Sequence, residues 1–266
     1  MDMVALLLCI PLGACVGLTA GLFGLGGGAL MVPSLTFLFL WQGMYGNDAV
    51  HLALGTSMAS IVMTSWVSMR QHHAKGGVRW DIWRKLLPGV LCGMLLGMAL
   101  VLHLDGRYLS WLFACFMAYV AWNMFFNVPF QGHRNLLKRP HLFGVGSGIG
   151  SMSALLAIGG GTMTVPFLTW QGVSMRQAIG TSAALGVPIS CLGRVGYMFF
   201  SDDHDGGVGV WGLVNIPMVL VISCVSWWSV AYGVRWSQQL DAEILKRMFA
   251  LLLIVLSLNM VYISGW

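Results

Sequence analysis

Gly26-Gly27-Gly28-Ala29-Leu30-Met31-Val32-Pro33 and Gly159-Gly160-Gly161-Thr162-Met163-Thr164-Val165-Pro166 are one phrase written twice, each inside a strongly apolar stretch. Three glycines and a following proline are costly in a continuous helix. Glycine costs about 1 kcal/mol per residue there and proline about 3. In hydrocarbon every freed backbone group also needs a partner, so a broken helix survives only where protein or a water-filled cavity surrounds it. Breaks at matching points of two halves point to a transporter's binding site.

Outward from that phrase, the rest of the chain is built for a membrane. Of its 266 residues 58% are hydrophobic and only 9% charged, with a mean hydropathy of +0.79. A soluble domain carries roughly 25% charged residues. Apolar runs at Val4–Leu25, Ala49–Met69, Leu86–Leu102, Leu109–Phe126, Ile179–Phe200, Val210–Val234 and Met248–Ile263 are near or above the ~18 residues needed to cross ~30 Å of hydrocarbon. The first run lacks the basic start of a secretory signal, since only Asp2 precedes it. All six cysteines lie inside apolar runs without a C-x-x-C spacing, which excludes a disulfide framework and a zinc site. The net charge of +5 comes from basic residues between the runs, so it signals topology and not nucleic acid.

The duplication extends beyond the glycines. Gly55-Thr56-Ser57 recurs as Gly180-Thr181-Ser182, and Gly76-Gly77-Val78 as Gly206-Gly207-Val208; Leu104-Asp105 with Asn123-Met124 recurs as Leu240-Asp241 with Asn259-Met260. We therefore read residues 1–131 as a first membrane repeat, 132–141 as a basic linker and 142–266 as a second repeat. Basic loops favour the cytoplasm. Arg70 to Lys85, the linker, Arg176 and Arg235 to Arg247 can all face inward if Asp202, Asp203 and Asp205 face outward, leaving Arg107 alone outside. That arrangement requires Leu142–Trp170 to enter and leave on one side. Its return arm of about 9 residues spans only ~14 Å. The expected fold class is an all-α polytopic membrane protein of two inverted repeats, each a broken-helix hairpin plus three transmembrane helices, with both termini outside.

A helix that starts after a glycine run presents open N–H groups and a partial positive charge to an anion. Gly26, Gly27, Gly28 and Ala29 form one such start, and Gly159, Gly160, Gly161 and Thr162 the other. Thr56, Ser57, Thr181 and Ser182 are hydroxyl donors within reach if the repeats pack around the hairpins. All nine carboxylates lie in loops or at run ends, whereas cation-coupled pumps place one at depth. Arg194 is the one charge well inside a run. An anionic ligand and an outer headgroup are both possible counter-charges for it. His72-His73 reads as a solvated turn in a basic loop, and the scattered methionines as packing. No cofactor and no metal site is expected. No nucleophile stands beside a base at depth, so an enzyme is not expected either.

The ordered set Gly24-Leu25-Gly26-Gly27-Gly28 to Val32-Pro33, Gly55-Thr56-Ser57, Gly159-Gly160-Gly161 to Val165-Pro166, Ala178-Ile179-Gly180-Thr181-Ser182 and Leu245-Lys246-Arg247-Met248-Phe249 resembles the sulfite exporter TauE/SafE family of bacterial permeases. The resemblance covers nearly the whole chain. It implies a multi-pass inner-membrane protein, monomeric or homodimeric, whose partners are the lipid bilayer and a small sulfur oxyanion such as sulfite or an organosulfonate, usually moved outward. The turn Arg70-Gln71-His72-His73-Ala74-Lys75-Gly76 departs from the family's shorter Arg-Gly-rich turn. A passive anion channel is not separated from a carrier by these residues; a cation or metal permease is disfavoured by the missing buried carboxylates.

Overall fold

The computed structural model describes residues 3–24, 26–43, 46–101, 103–125, 139–199 and 210–264. Both glycine phrases break the chain. In the first half α1 (Met3–Phe23) stops and α2 (Gly28–Trp41) begins after a four-residue gap; α3 (Gly46–Ala74), α4 (Trp80–Val101) and α5 (Gly106–Phe125) follow. The second half repeats the order with α6 (Arg139–Leu156), α7 (Gly161–Trp170), α8 (Met175–Phe199), α9 (Ile216–Gln239) and α10 (Ala242–Ser264). Met3–Phe23, Ala49–Ala74, Trp80–Val101, Met175–Phe199 and Ile216–Gln239 are long and apolar enough to cross a membrane. By contrast α2 and α7, with 14 and 10 residues, reach only ~21 and ~15 Å. Neither can cross alone.

The breaks come from backbone conformation. Gly24, Gly26 and Gly27 take φ of 67°, 67° and 83°, and Gly160 takes 75°. These left-handed values are ones that glycine adopts without steric cost. Ala157 reaches the same region, φ 47°, without that freedom. The prolines are not where the chain breaks: Pro33 and Pro166 sit inside α2 and α7, each the sixth residue of its helix.

The two halves interleave. α1 runs along α9, α4 along α6, α3 against α8 and α5 against α10. Exchanging α1–α5 with α6–α10 in order converts the first pair into the second and returns the other two to themselves. Small residues make the long contacts close. Gly13, Gly17 and Gly21 of α1 face Ile222, Ser226 and Val230 of α9. Gly89, Gly93 and Gly97 of α4 face Phe143, Ser147 and Ser151 of α6. Both pairs run parallel, and their four-residue spacing lets backbones approach, the means by which helices associate in lipid. In α3 and α8 the contacts are Met58 with Gly193, Ser65 with Gly186 and His72 with Gly180. Those two helices run antiparallel.

The structure amends three expectations. The apolar run from Val210 is not helical from its start: β1 (Val210–Trp211) and β2 (Val214–Asn215) pair antiparallel first. Gly212, φ 57°, makes the turn, and Asn215 caps α9 by accepting from the Met218 amide at 3.2 Å. A short apolar run is ambiguous between helix and strand by periodicity alone. Second, the segment that stands where Gly76–Arg79 stands is Gly212–Asn215. Gly180 abuts the Gly77 carbonyl as Gly55 abuts that of Leu213. Gly206–Val208, with the acidic loop, lie outside the described residues, as does most of the basic linker. Third, His72 and His73 occupy the last turn of α3 and not a solvated loop. His72 is fully buried, its Nε2 3.1 Å from the Gly21 carbonyl, while exposed His73 accepts from Trp80 Nε1 at 3.2 Å.

The turn after α3, the start of α8 and the end of α9 share one end of the bundle. Lys75 Nζ lies 3.5 Å from the Val234 carbonyl, and Arg176 donates to that of Gln238 at 2.8 Å. Among the described residues, the basic turn after α3, the start of α8 and the end of α9 thus lie together at one end.

Candidate functional site

The two glycine breaks meet in the interior. At Gly28, the first residue of α2, an added Cβ would stand 2.5 Å from the Ala157 carbonyl oxygen and 3.1 Å from Ile158 Cα, just ahead of α7. Ser57 Oγ donates to the same Ala157 carbonyl at 3.4 Å. Its counterpart Ser182 Oγ donates to the Gly24 carbonyl at 2.7 Å. Each hydroxyl therefore pins the break of the opposite half. Ala29, Ser57, Thr162 and Ser182 are all buried within the protein.

Both short helices begin on a left-handed glycine cap, Gly27 before α2 and Gly160 before α7, and neither cap supplies a side chain to the first amides. The first N–H groups of a helix have no intrahelical partner. Asn, Asp, Ser or Thr ordinarily accepts from one of them. Glycine leaves them open and lets a ligand approach the backbone. Each helix end carries roughly half a positive charge.

Thr56 and Thr181 do other work. Thr56 Oγ1 accepts from the Asn215 amide at 3.0 Å, where α9 starts. Thr181 Oγ1 accepts from the Arg79 amide at 2.9 Å, where α4 starts, and donates to the Gln177 carbonyl at 2.7 Å. Sequence spacing cannot tell a threonine from its neighbouring serine here, since the two project to different sides of the helix. Arg194 is exposed on the surface of α8 and is not gathered with the glycine tips. Ser65, which the repeat did not single out, is fully buried between the breaks. A Cβ on Gly26 would meet its Oγ at 2.7 Å. One on Gly186 would meet it at 2.6 Å and the Gly159 carbonyl oxygen at 3.1 Å. The only sequence signal for it was its place one helical face along from Ser57 on the same apolar span.

Two cavities elsewhere are lined mainly by apolar side chains. One of about 580 Å³ is lined by residues including Leu12, Leu30, Phe37, Trp41 and Val255. A smaller one of about 190 Å³ lies between Tyr119 and Phe167. Such linings suit acyl chains and not an anion. Among the described residues no group of three His, Cys, Asp or Glu could hold a metal ion, and all six cysteines are free.

Known proteins match this arrangement over almost its full length. A "probable membrane transporter protein" of Haemophilus influenzae is 33% identical, covering 96% of this chain and 97% of its own. One of Methanocaldococcus jannaschii is 27% identical over 95% and 94%, and one of Xylella fastidiosa 26% over 99% and 98%. No solved structure matches. The family model described as "Sulfite exporter TauE/SafE" matches residues 9–260, a range that takes in both glycine breaks and every helix packed around them. This membrane protein belongs to the sulfite exporter TauE/SafE family.

Proposed function

We propose that the chain is a secondary transporter that exports a small sulfur-containing oxyanion, such as sulfite or an organosulfonate, across the cytoplasmic membrane. The observation that carries this reading is the meeting of the uncapped start of α2, at Gly28, with Ala157 and Ile158 of the other break, the segment that leads into the equally uncapped α7. The bound head group would take hydrogen bonds from the amides of Gly28, Ala29, Gly161 and Thr162. Ser57 and Ser182 hold the opposite tip in place. The family description supports the substrate class and the outward direction, and the names of the relatives support membrane transport.

The antiparallel packing of α3 on α8, joined to the exchange of helix pairs, supports an inverted repeat. Helices standing along the membrane normal are antiparallel across a twofold only when that axis lies in the membrane plane. The gathering of Lys75, Arg79 and Arg176 at one end supports a cytoplasmic face there and termini outside. In this conformation the tips are closed within the protein, so loading requires the halves to part, as alternating access does.

Two helix ends sum to about one positive charge. Among the described residues no Lys or Arg is buried beside them. A singly charged head group is therefore matched better than a doubly charged one. Purified protein in liposomes should move sulfite and methanesulfonate down a gradient, and methanesulfonate should compete better than sulfate. No flux of any sulfur oxyanion above empty vesicles would remove the reading.

A further inference from the structure

We infer that Ser65 is a substrate-binding residue of the tip site, its hydroxyl donating to the oxyanion when the site is loaded. The inference rests on the reading of the glycine tips given above and adds a contact to it. Ser65 Oγ is wholly buried and has no hydrogen-bond partner. It lies against Gly26 of one break and Gly186 of α8, which itself borders Gly159 of the other break. Of the buried hydroxyls near the breaks, Thr64 Oγ1 donates to the Gly26 carbonyl at 2.6 Å, Ser57 to Ala157 and Ser182 to Gly24. Those are committed to holding the backbone. Ser65 is not. Neither is Thr164 Oγ1 in the first turn of α7, also fully buried without a partner, but of the two it is Ser65 that lies against both breaks.

A buried hydroxyl left without a partner costs the desolvation of the group with nothing in return. Such exceptions call for a specific account. Here the orphan sits between the two glycine breaks from which α2 and α7 start, so an anion held there would satisfy the hydroxyl and the open amides together. The counterpart of Ser65 in the second half by the Gly-Thr-Ser spacing is Ser190, whose Oγ donates to the Val187 carbonyl at 3.1 Å. Ser65 therefore has no free twin at Ser190, and the two halves present different hydroxyls to a head group, which would fix an orientation that the twofold alone would leave ambiguous.

The test is Ser65→Ala, with Ser190→Ala as control, reconstituted in liposomes and assayed with sulfite and methanesulfonate. The same proteins in detergent are followed by thermal unfolding with and without methanesulfonate. Ser65→Ala should unfold at or above the wild-type temperature, because an orphan hydroxyl is gone. Its KM should rise about tenfold and its ligand-induced thermal shift should shrink; Ser190→Ala should keep the wild-type KM. An unchanged KM and thermal shift in Ser65→Ala would overturn the inference, with water as the hydroxyl's partner. A lowered unfolding temperature with unchanged KM would overturn it too, in favour of a packing role. If wild-type protein moves neither anion, the transport reading fails and not the assignment within it.

Discussion

Gly28→Ala tests the contact between the two breaks. Gly28 is the first residue of α2 and its φ is not among the positive ones, so alanine brings no backbone strain. Helix propensity alone would favour it by up to about 1 kcal/mol. The new methyl, however, would stand 2.5 Å from the Ala157 carbonyl oxygen and 2.6 Å from Ile61 Cδ1. Ile61 can rotate; the carbonyl belongs to the opposite break and cannot. Moving from 2.5 Å to the 3.4 Å of ordinary contact requires the tips to separate by about 0.9 Å. Overpacking of this kind costs about 1–3 kcal/mol. At about 2 kcal/mol the closed arrangement loses roughly thirtyfold in its equilibrium ratio to the parted one, since 1.4 kcal/mol is tenfold. Proteoliposome flux should fall by that order, with a lowered unfolding temperature in detergent. Gly148→Ala is the control: nothing lies within 4 Å of a Cβ there, so it should be neutral or stabilising by about 0.5–1 kcal/mol. Wild-type flux and unfolding temperature in Gly28→Ala would refute the reasoning, because the breaks could not then be in contact.

The remaining substitutions separate structural from substrate roles. Thr56→Val and Thr181→Val should each destabilise by about 1–3 kcal/mol, read by thermal unfolding, because the Asn215 and Arg79 amides lose their acceptors. Thr56→Val should cost more, since its amide partner is buried and that of Thr181 is only partly so. KM of the surviving fraction should hold in both. Arg194→Gln should leave KM and flux within about twofold of wild type, as expected for a surface side chain that reaches the headgroup region; a large rise in KM would place it on the anion's path.

What the sequence revealed was what backbone chemistry dictates locally. Glycine runs that cannot stay helical in lipid marked both breaks, and hydrophobic length marked the spans. The serines of the Gly-Thr-Ser pairs were legible because the repeat placed them beside the breaks. Facts that depend on helix rotation and partner choice were hidden. Thr56 and Thr181 turn toward the starts of α9 and α4, a direction set by tertiary packing. His72, apparently part of a polar loop, is buried because α1 and the start of α8 close over the last turn of α3. Ser65 has no motif, and only its burial without a partner makes it stand out. The hairpin Val210–Asn215 escaped because a mainly apolar stretch shortly before Pro217 reads equally well as the first turn and a half of a helix.

A density map of the protein in lipid with iodomethanesulfonate, whose iodine marks the ligand, tests the central claim most directly. The account predicts a sulfonate group within hydrogen-bond distance of the amides at the starts of α2 and α7, next to Ser65. A sulfonate bound instead beside Arg194 or in the apolar grooves, by protein that still transports, would contradict it.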